Sequence, residues 1–278
     1  MKSLRFLVLS GIAAAGLLVF VQSCGTLAGP PASVQLGPDT SGTGVMVVWT
    51  PPAENTPDKY RVYFAPLTET TFQLIAETTA TSIIHDPHDT TGTYVVAAVF
   101  GDREYRSEKK LTTIPVFGDT VAVAELDASG NSGYGWNRVG GAGRTCSMLS
   151  LSSTSVADFY ITDHKPGSGS LPYAIASPNK GPSDPAGPLV PPSDDWRINW
   201  FTDPLSSEHR ALPPVTETNY FDYTELTGPV PVVIGCATED NYFGLVKITK
   251  VDAGVGEVRL VSWFQLVPGL RLMMHRAD

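Results

Sequence analysis

Five consecutive residues, His85-Asp86-Pro87-His88-Asp89, set two imidazoles beside two carboxylates. Such groups ligate metals and move protons. Pro87 cannot donate to a strand ladder, and it pushes Asp86 toward extended geometry. Asp side chains favour turns by bonding their own backbone. The stretch reads as a turn on which the two imidazoles need not converge, and no third ligand is evident. Asp127, Ser129 and Asn131 have the alternate spacing of a calcium loop. Ser132 stands where such a loop needs Gly, and Arg138 where its closing Glu belongs, so a Gly-rich turn is the better reading. The run Gly133–Thr145 is rich in Gly but lacks a G-x-G-x-x-G between strand and helix. Ser168 lacks the spacing of a nucleophile elbow. Asp194–Asp195 and Glu239–Asp240 pair carboxylates, as glycoside cleavage requires, but neighbours on a strand point to opposite faces. His164, His209 and His275 stand alone. No catalytic residue, metal ligand or cofactor is assigned, and the chain reads as non-enzymatic.

Aromatic residues cluster beside Asn and Asp: Trp200 in INWF, Tyr220 and Tyr223 in NYFDY, Tyr242 in DNYF and Trp263 in WFQ. Exposed, they would stack on sugars or form protein contacts. Inward, they would be core, and for adjacent aromatics on a strand one ring points in. These five are the candidate binding aromatics.

The elements that would carry these residues are strands. The chain has 278 residues, 26 Gly and 23 Pro, a balance that suits many short strands joined by turns. The net charge of −9 comes with no basic stripe, so nucleic acid is not an expected partner.

The N-terminus is not fold. Lys2 and Arg5 precede an uncharged, mostly apolar run from Phe6 to Val21, the pattern of a secretion signal. A membrane span is the competing reading. The sequence Val21-Gln22-Ser23-Cys24 resembles the lipobox of bacterial lipoproteins. That resemblance implies cleavage of residues 1–23, acylation of Cys24 and a tether at residues 24–30. It places the protein in a bacterial cell envelope, with the membrane as a partner through the lipid anchor. Gly25 is not the Asp that resembles an inner-membrane retention signal, so an outer membrane is the expected destination if the cell has one. Outside the cytoplasm the remaining pair, Cys146 and Cys236, is expected to form a disulfide, two buried free thiols being the alternative.

Between residues 31 and 115, seven short alternating strands recur at intervals of about ten residues, which predicts a β-sandwich. They are 32–37, 44–50, 59–65, 71–78, 81–86, 93–100 and 104–113. The residues resemble a fibronectin type III domain: VVWTPP with Trp49, YRVYF on the third strand, and TGTYVVAAVF opening with Tyr94. The resemblance implies that Trp49 and Tyr94 are core residues.

Residues 119–278 form a second β-rich unit, sandwich or barrel-like, with strands at 120–126, 145–152, 156–162, 196–202, 231–237, 242–251 and 257–267. The last two read as a hairpin about DAGVG. Residues 165–195 are dense in Pro, Gly and Ser and read as a long loop, mobile or binding. The closing hairpin is similar to those of uncharacterised bacterial surface lipoproteins, and DDWRINWFTDP bears a few-residue likeness to β-sheet haem-binding lipoproteins. The expected architecture is all-β throughout. The leading functional expectation is a lipid-anchored, non-enzymatic envelope protein whose first module is a spacer and whose second binds a partner. An envelope protein or a polysaccharide is the partner considered. A polysaccharide-binding or polysaccharide-processing accessory protein and a small-ligand or haem receptor are the alternatives.

Overall fold

The computed structural model describes residues 28–163, 173–180, 190–206 and 211–275. Among these residues every regular element is a strand, apart from two single-turn 3-10 helices at Leu151–Ser153 and Pro178–Lys180. The chain is all-β, as its period-two patterning requires.

Eight strands build the first sandwich. They are β1 (Ala32–Pro38), β2 (Val45–Thr50), β3 (Lys59–Pro66), β4 (Gln73–Thr78), β5 (Ser82–His85), β6 (Gly92–Phe100), β7 (Arg103–Arg106) and β8 (Leu111–Thr112). One sheet runs β1-β2-β5 and the other β4-β3-β6-β7, with β8 also pairing β6. Three strands against four in this antiparallel order is the fibronectin type III-like arrangement. Alternation on β2 turns Val45, Val47 and Trp49 inward. Trp49 is 3% exposed and Tyr94 1%, so both are core residues as expected. The final expected strand is broken in two where Ser107 leaves the ladder; its Oγ accepts from Val96 N at 3.3 Å.

The second unit is also a sandwich. One sheet contains β10 (Gly133–Trp136), β11 (Gly143–Cys146), β12 (Phe159–Thr162), β13 (Ala174–Ala176) and β15 (Tyr223–Glu225), in the order β11-β10-β12-β13-β15. The other contains β9 (Val116–Ala124), β14 (Trp200–Phe201), β16 (Val232–Ala237), β17 (Phe243–Asp252) and β18 (Glu257–Phe264), in the order β14-β16-β17-β18-β9. The expected hairpin is the β17–β18 pair. Tyr134, Trp136, Phe159 and Ile161 from the first sheet meet Ile234, Val246, Leu260 and Phe264 from the second in one buried core. The outer face of each sheet is covered too. Met148, Val190 and Trp196 pack over one, and Leu212, Tyr220 and Met273 over the other.

Three strands escape the sequence reading: β10, β13 and β15. Both faces of β10 and β13 are buried, so neither shows a polar–apolar alternation. The Gly-rich run, which lacks the pattern of a phosphate loop, is the β10–β11 hairpin. Its glycines serve packing. A Cβ on Gly135 would stand 1.7 Å from Val156 O, and one on Gly143 would stand 1.6 Å from the Tyr134 hydroxyl. Conversely, the expected strand at 145–152 ends at Cys146 and gives way to a turn and a 3-10 helix.

The last residues of the chain lock the two sandwiches together. Gln265, fully buried, ends the β18 region and donates to Thr113 O at 2.8 Å and Leu272 O at 2.9 Å. The following residues cross to the first sandwich, where Val267, Leu270 and Leu272 join the cluster of Val45, Val47, Trp49 and Tyr94. Arg271 N donates to Gly42 O at 2.8 Å, and its guanidinium donates to Ser41 O at 2.6 Å and to Leu212 O. Thr91 Oγ1 donates to Met274 O at 2.6 Å.

A core shared in this way couples the stabilities of the two sandwiches. The full chain is expected to unfold in urea as one transition. Leu270→Ala should lower its free energy by about 2–5 kcal/mol, the usual cost of truncating a buried leucine. Two separate transitions, or an unmoved midpoint, would contradict the coupling.

Candidate functional site

The HDPHD stretch resolves into a strand end and a turn. His85 closes β5 and turns into the first core, where Nδ1 lies 2.8 Å from the Tyr94 hydroxyl and the ring packs 5.0 Å from Phe64. Asp86 Oδ1 accepts from His88 N at 2.9 Å. His88 and Asp89 adopt left-handed φ angles of 52° and 59°. His88 is solvent-exposed while His85 is half-buried, so the imidazoles do not converge. Burial lowers the His85 pKa, outweighing the opposing field of Asp86.

The five candidate aromatics separate. Tyr220 and Trp263 are core residues on the outer face of the second sheet. Trp263 stacks on His275 with centroids 3.8 Å apart. Tyr223 is half-buried on β15, beside an open cavity of about 570 Å³ lined by Asp203, Phe221, Thr224 and Glu225 among others. Trp200 and Tyr242 are brought together, with Thr238, Glu239 and Asn241, around a cleft of about 200 Å³ at one end of the sandwich.

The local sequence explains this cleft. Pairing sets Trp200 opposite Ala237 and Ala237 opposite Phe243, so three side chains lie in one row across β14, β16 and β17. The β16–β17 turn is closed by Thr238 N to Tyr242 O and Tyr242 N to Thr238 Oγ1, both 2.9 Å. Asn241 takes the left-handed φ of 63° that the tight turn needs, a conformation Asn tolerates. Ala237 and Thr238, with small side chains, line the cleft together with Trp200 and Tyr242.

A buried ion network fixes the turn. Asp158 is fully buried, and its carboxylate accepts from Trp136 N, Arg138 Nη1, Arg138 Nη2 and Arg197 Nη1, each at 2.8 Å. Asn199 Nδ2 donates to Asp158 O at 2.7 Å, and Asn199 Oδ1 accepts from Glu239 N at 3.0 Å. The other edge of Arg138 grips Asp240 through Nε at 2.7 Å and Nη2 at 2.9 Å. Burial alone would lower the Arg138 pKa, but the bonds from Asp158 and Asp240 together outweigh it and raise it. Asp240 shows the mirror image: burial would raise its pKa, and Arg138 with Thr238 brings it below the usual carboxylate range. The guanidinium also sits 5.6 Å from the Tyr242 ring centroid, and Tyr242 stacks on Phe264 at 5.5 Å. The sequence reading noted Arg138 only as a residue that spoils a calcium loop. Twenty positions separate it from Asp158, and no local signal joins them.

The paired carboxylates are divided by their partners. Asp240 belongs to Arg138, whereas Glu239 Oε2 accepts from Ile198 N at 3.0 Å. Asp194 and Asp195 are exposed in a loop. Of the alternate-spaced oxygen residues, Asn131 donates to Thr145 Oγ1 at 3.2 Å. Asp127 lies instead beside Glu125 and Asp163, with one oxygen of each within 4.8 Å of the others. Glu125 is already engaged: its carboxylate accepts from Asp127 N at 2.9 Å and Asp163 N at 3.3 Å, and burial raises its pKa.

The expected Cys146–Cys236 bridge is not formed; both are free thiols. Pairing register explains why. Cys236 faces the core between the two sheets with Ile234 and Phe201. Cys146 pairs with Gly133 and faces the opposite, outer side of its sheet, beside Met148. A bond between them would have to pass through a sheet. Burial raises both thiol pKa values, that of Cys236 the more. Cys24, His164, Ser168 and His209 lie outside the described residues.

No protein-family model matches the chain, and no curated protein matches it. Solved structures give weak likenesses. An Fn3-like protein from Clostridium thermocellum is 22% identical, covers 30% of this chain and 88% of its own, with a TM-score of 0.26. A two-domain fibronectin type III segment of chicken tenascin is 13% identical, covering 84% of this chain and 98% of its own at a TM-score of 0.24. The chicken interferon gamma receptor alpha chain is 9% identical over 75% of this chain and 89% of its own, at 0.26. The strand order of the first sandwich, rather than these low overlaps, makes it fibronectin type III-like.

Asp158→Ala would strand two partly buried guanidiniums, and denaturant unfolding should show a loss of about 3–5 kcal/mol. Asp240→Ala, at the more exposed end of the network, should cost about 1 kcal/mol or less. A second outcome concerns acid. Because the folded pKa of His85 lies below its unfolded value of 6.5, its stabilising effect is complete above 6.5 and is lost as pH falls through the folded value. Thermal unfolding compared above and below that window should show a loss on acidification that His85→Gln reduces.

Proposed function

We propose that this chain is a lipid-anchored cell-envelope protein that binds a saccharide partner through its second sandwich and does no chemistry on it. Cys24 is the acylation site, residues 24–30 are the tether, and the fibronectin-like module is the spacer. The cleft between Trp200 and Tyr242 carries this reading. Trp200 and Tyr242, both half-buried, line it with aromatic surface on which a pyranose ring could pack, and Thr238, Glu239 and Asn241 line it with the donors and acceptors that sugar hydroxyls need. The cleft is small and open, which suits one or two units of an extended polymer better than an enclosed small molecule. The ion network behind it holds the turn in place before any ligand arrives, and preorganisation of that kind favours binding. The shared core with the first sandwich makes spacer and binder one body, so the cleft is held at a fixed distance from β1, which the tether joins.

Two measurements test the reading. Intact mass and membrane partitioning of the expressed protein, against Cys24→Ala, should give an acylated chain beginning at Cys24 that moves to the soluble fraction in the variant. Affinity electrophoresis in gels containing envelope polysaccharides should show retardation that Trp200→Ala and Tyr242→Ala weaken about tenfold or more, equivalent to roughly 1.4 kcal/mol. Retardation unchanged in both variants, or none with any polysaccharide, would overturn the site.

A further inference from the structure

The first sandwich has two unlike outer faces. On the β4-β3-β6-β7 sheet, Lys59, Arg61, Glu77, Glu104 and Arg106 form a chain of ion pairs at 2.6–3.3 Å. On the other sheet, β1, β2 and β5 contain no Asp, Glu, Lys or Arg at all. Alternation along β2 that sends Val45, Val47 and Trp49 into the core sends Met46, Val48 and Thr50 out. Register places Met46 between Gly37 on β1 and Ile84 on β5, and Val48 between Gln35 and Ser82. Met46 is 38% exposed, Val48 36% and Ile84 68%. The result is an uncharged face with a contiguous apolar patch, of the kind that marks an interaction surface.

The chain that leads into this face says what it meets. β1 is the strand that receives the tether, and the eight peptide units from Cys24 to Ala32 reach at most about 28 Å. With acyl chains on Cys24, which the proposal under the previous heading assumes, this sheet is leashed within that distance of a bilayer surface. A short leash gives a high local concentration, so a contact too weak to form between free partners can form here. Of the two outer faces, only this one can approach the headgroups without desolvating a charge.

We propose that the outer face of the β1-β2-β5 sheet rests on the bilayer, with Met46, Val48 and Ile84 entering the interfacial zone as a second membrane contact beside the lipid anchor. The surface it fits is zwitterionic. Asp86 and Asp89 stand in the turn just beyond Ile84, and no cation lies on the face to attract anionic headgroups.

The test uses the full chain, lipidated, on phosphatidylcholine vesicles. A fluorophore is placed through Ile84→Cys, or as a control through Gln73→Cys on the charged sheet, and iodide quenching is compared with the same labels in the Cys24→Ala background in solution. Intact mass reports acylation and label stoichiometry independently. The expected result is quenching at position 84 that falls several-fold on vesicles while that at position 73 does not change, with the protection weakening as anionic lipid is added. An acylated chain with position 84 equally quenched in both settings would overturn the contact and leave the anchor standing. Protection that grows with the protein-to-lipid ratio would assign the face to a second copy and overturn the contact as well. A chain that mass shows to be unacylated would remove the anchor and the contact together.

Discussion

The second sandwich depends on one buried carboxylate. Asp158 lies between the β10 strand and the segment before β14, fully out of solvent, where an unpaired charge would cost several kcal/mol. Two guanidiniums and one backbone N–H meet it, and Arg138 carries the connection onward to Asp240 in the β16–β17 turn. Parts of both sheets are thereby tied to one point. The arrangement is directional in a way that apolar packing is not. A leucine core tolerates small slips, whereas a bidentate Arg–carboxylate contact is lost within an ångström. The position of the Trp200–Tyr242 cleft follows from that fixed point rather than from the residues of the cleft alone.

The return of the chain end to the first sandwich has a comparable role at larger scale. The core of the first sandwich is not built from its own strands alone. Here Leu270 and Leu272 complete it from the far end of the chain. Gln265 makes the crossing feasible, because its side chain satisfies buried carbonyls on both sides of the junction, Thr113 and Leu272. What the sequence presents as a tether, a spacer and a binding unit in series is mechanically shorter than the series implies. Any force or ligand at the second sandwich acts on a body that includes the first.

The same two-sidedness recurs through the molecule. In the first sandwich one outer face is charged and ion-paired while the other is uncharged. In the second, both outer faces are covered by loop side chains, Trp196 and Val190 on one and Tyr220 and Leu212 on the other. Two of the five aromatics that look like binding candidates in the sequence are used for this covering. Tyr220 and Trp263 belong to it, whereas Trp200 and Tyr242 reach solvent around one concavity and Tyr223 around another.

The sequence by itself determined the strand character of the chain and nearly every strand of the first sandwich, including the burial of Trp49 and Tyr94. That information is local: alternation over six to nine residues, with turn residues between, fixes both the element and its buried face. It also made the HDPHD stretch readable as a turn, because Pro87 and the Asp side chains act on their own backbone. Only the tertiary structure decided the rest. The β10 and β13 strands are buried on both sides, so their pattern carries no period to read. The two cysteines were assigned to each other by compartment and parity, yet which face of a sheet a thiol occupies depends on register with strands far away in sequence. Asp158 and Arg138, and Leu270 and Trp49, are joined across 20 and 221 positions by packing that no short window contains. Local chemistry chooses the strands, and the burial of their faces chooses their partners.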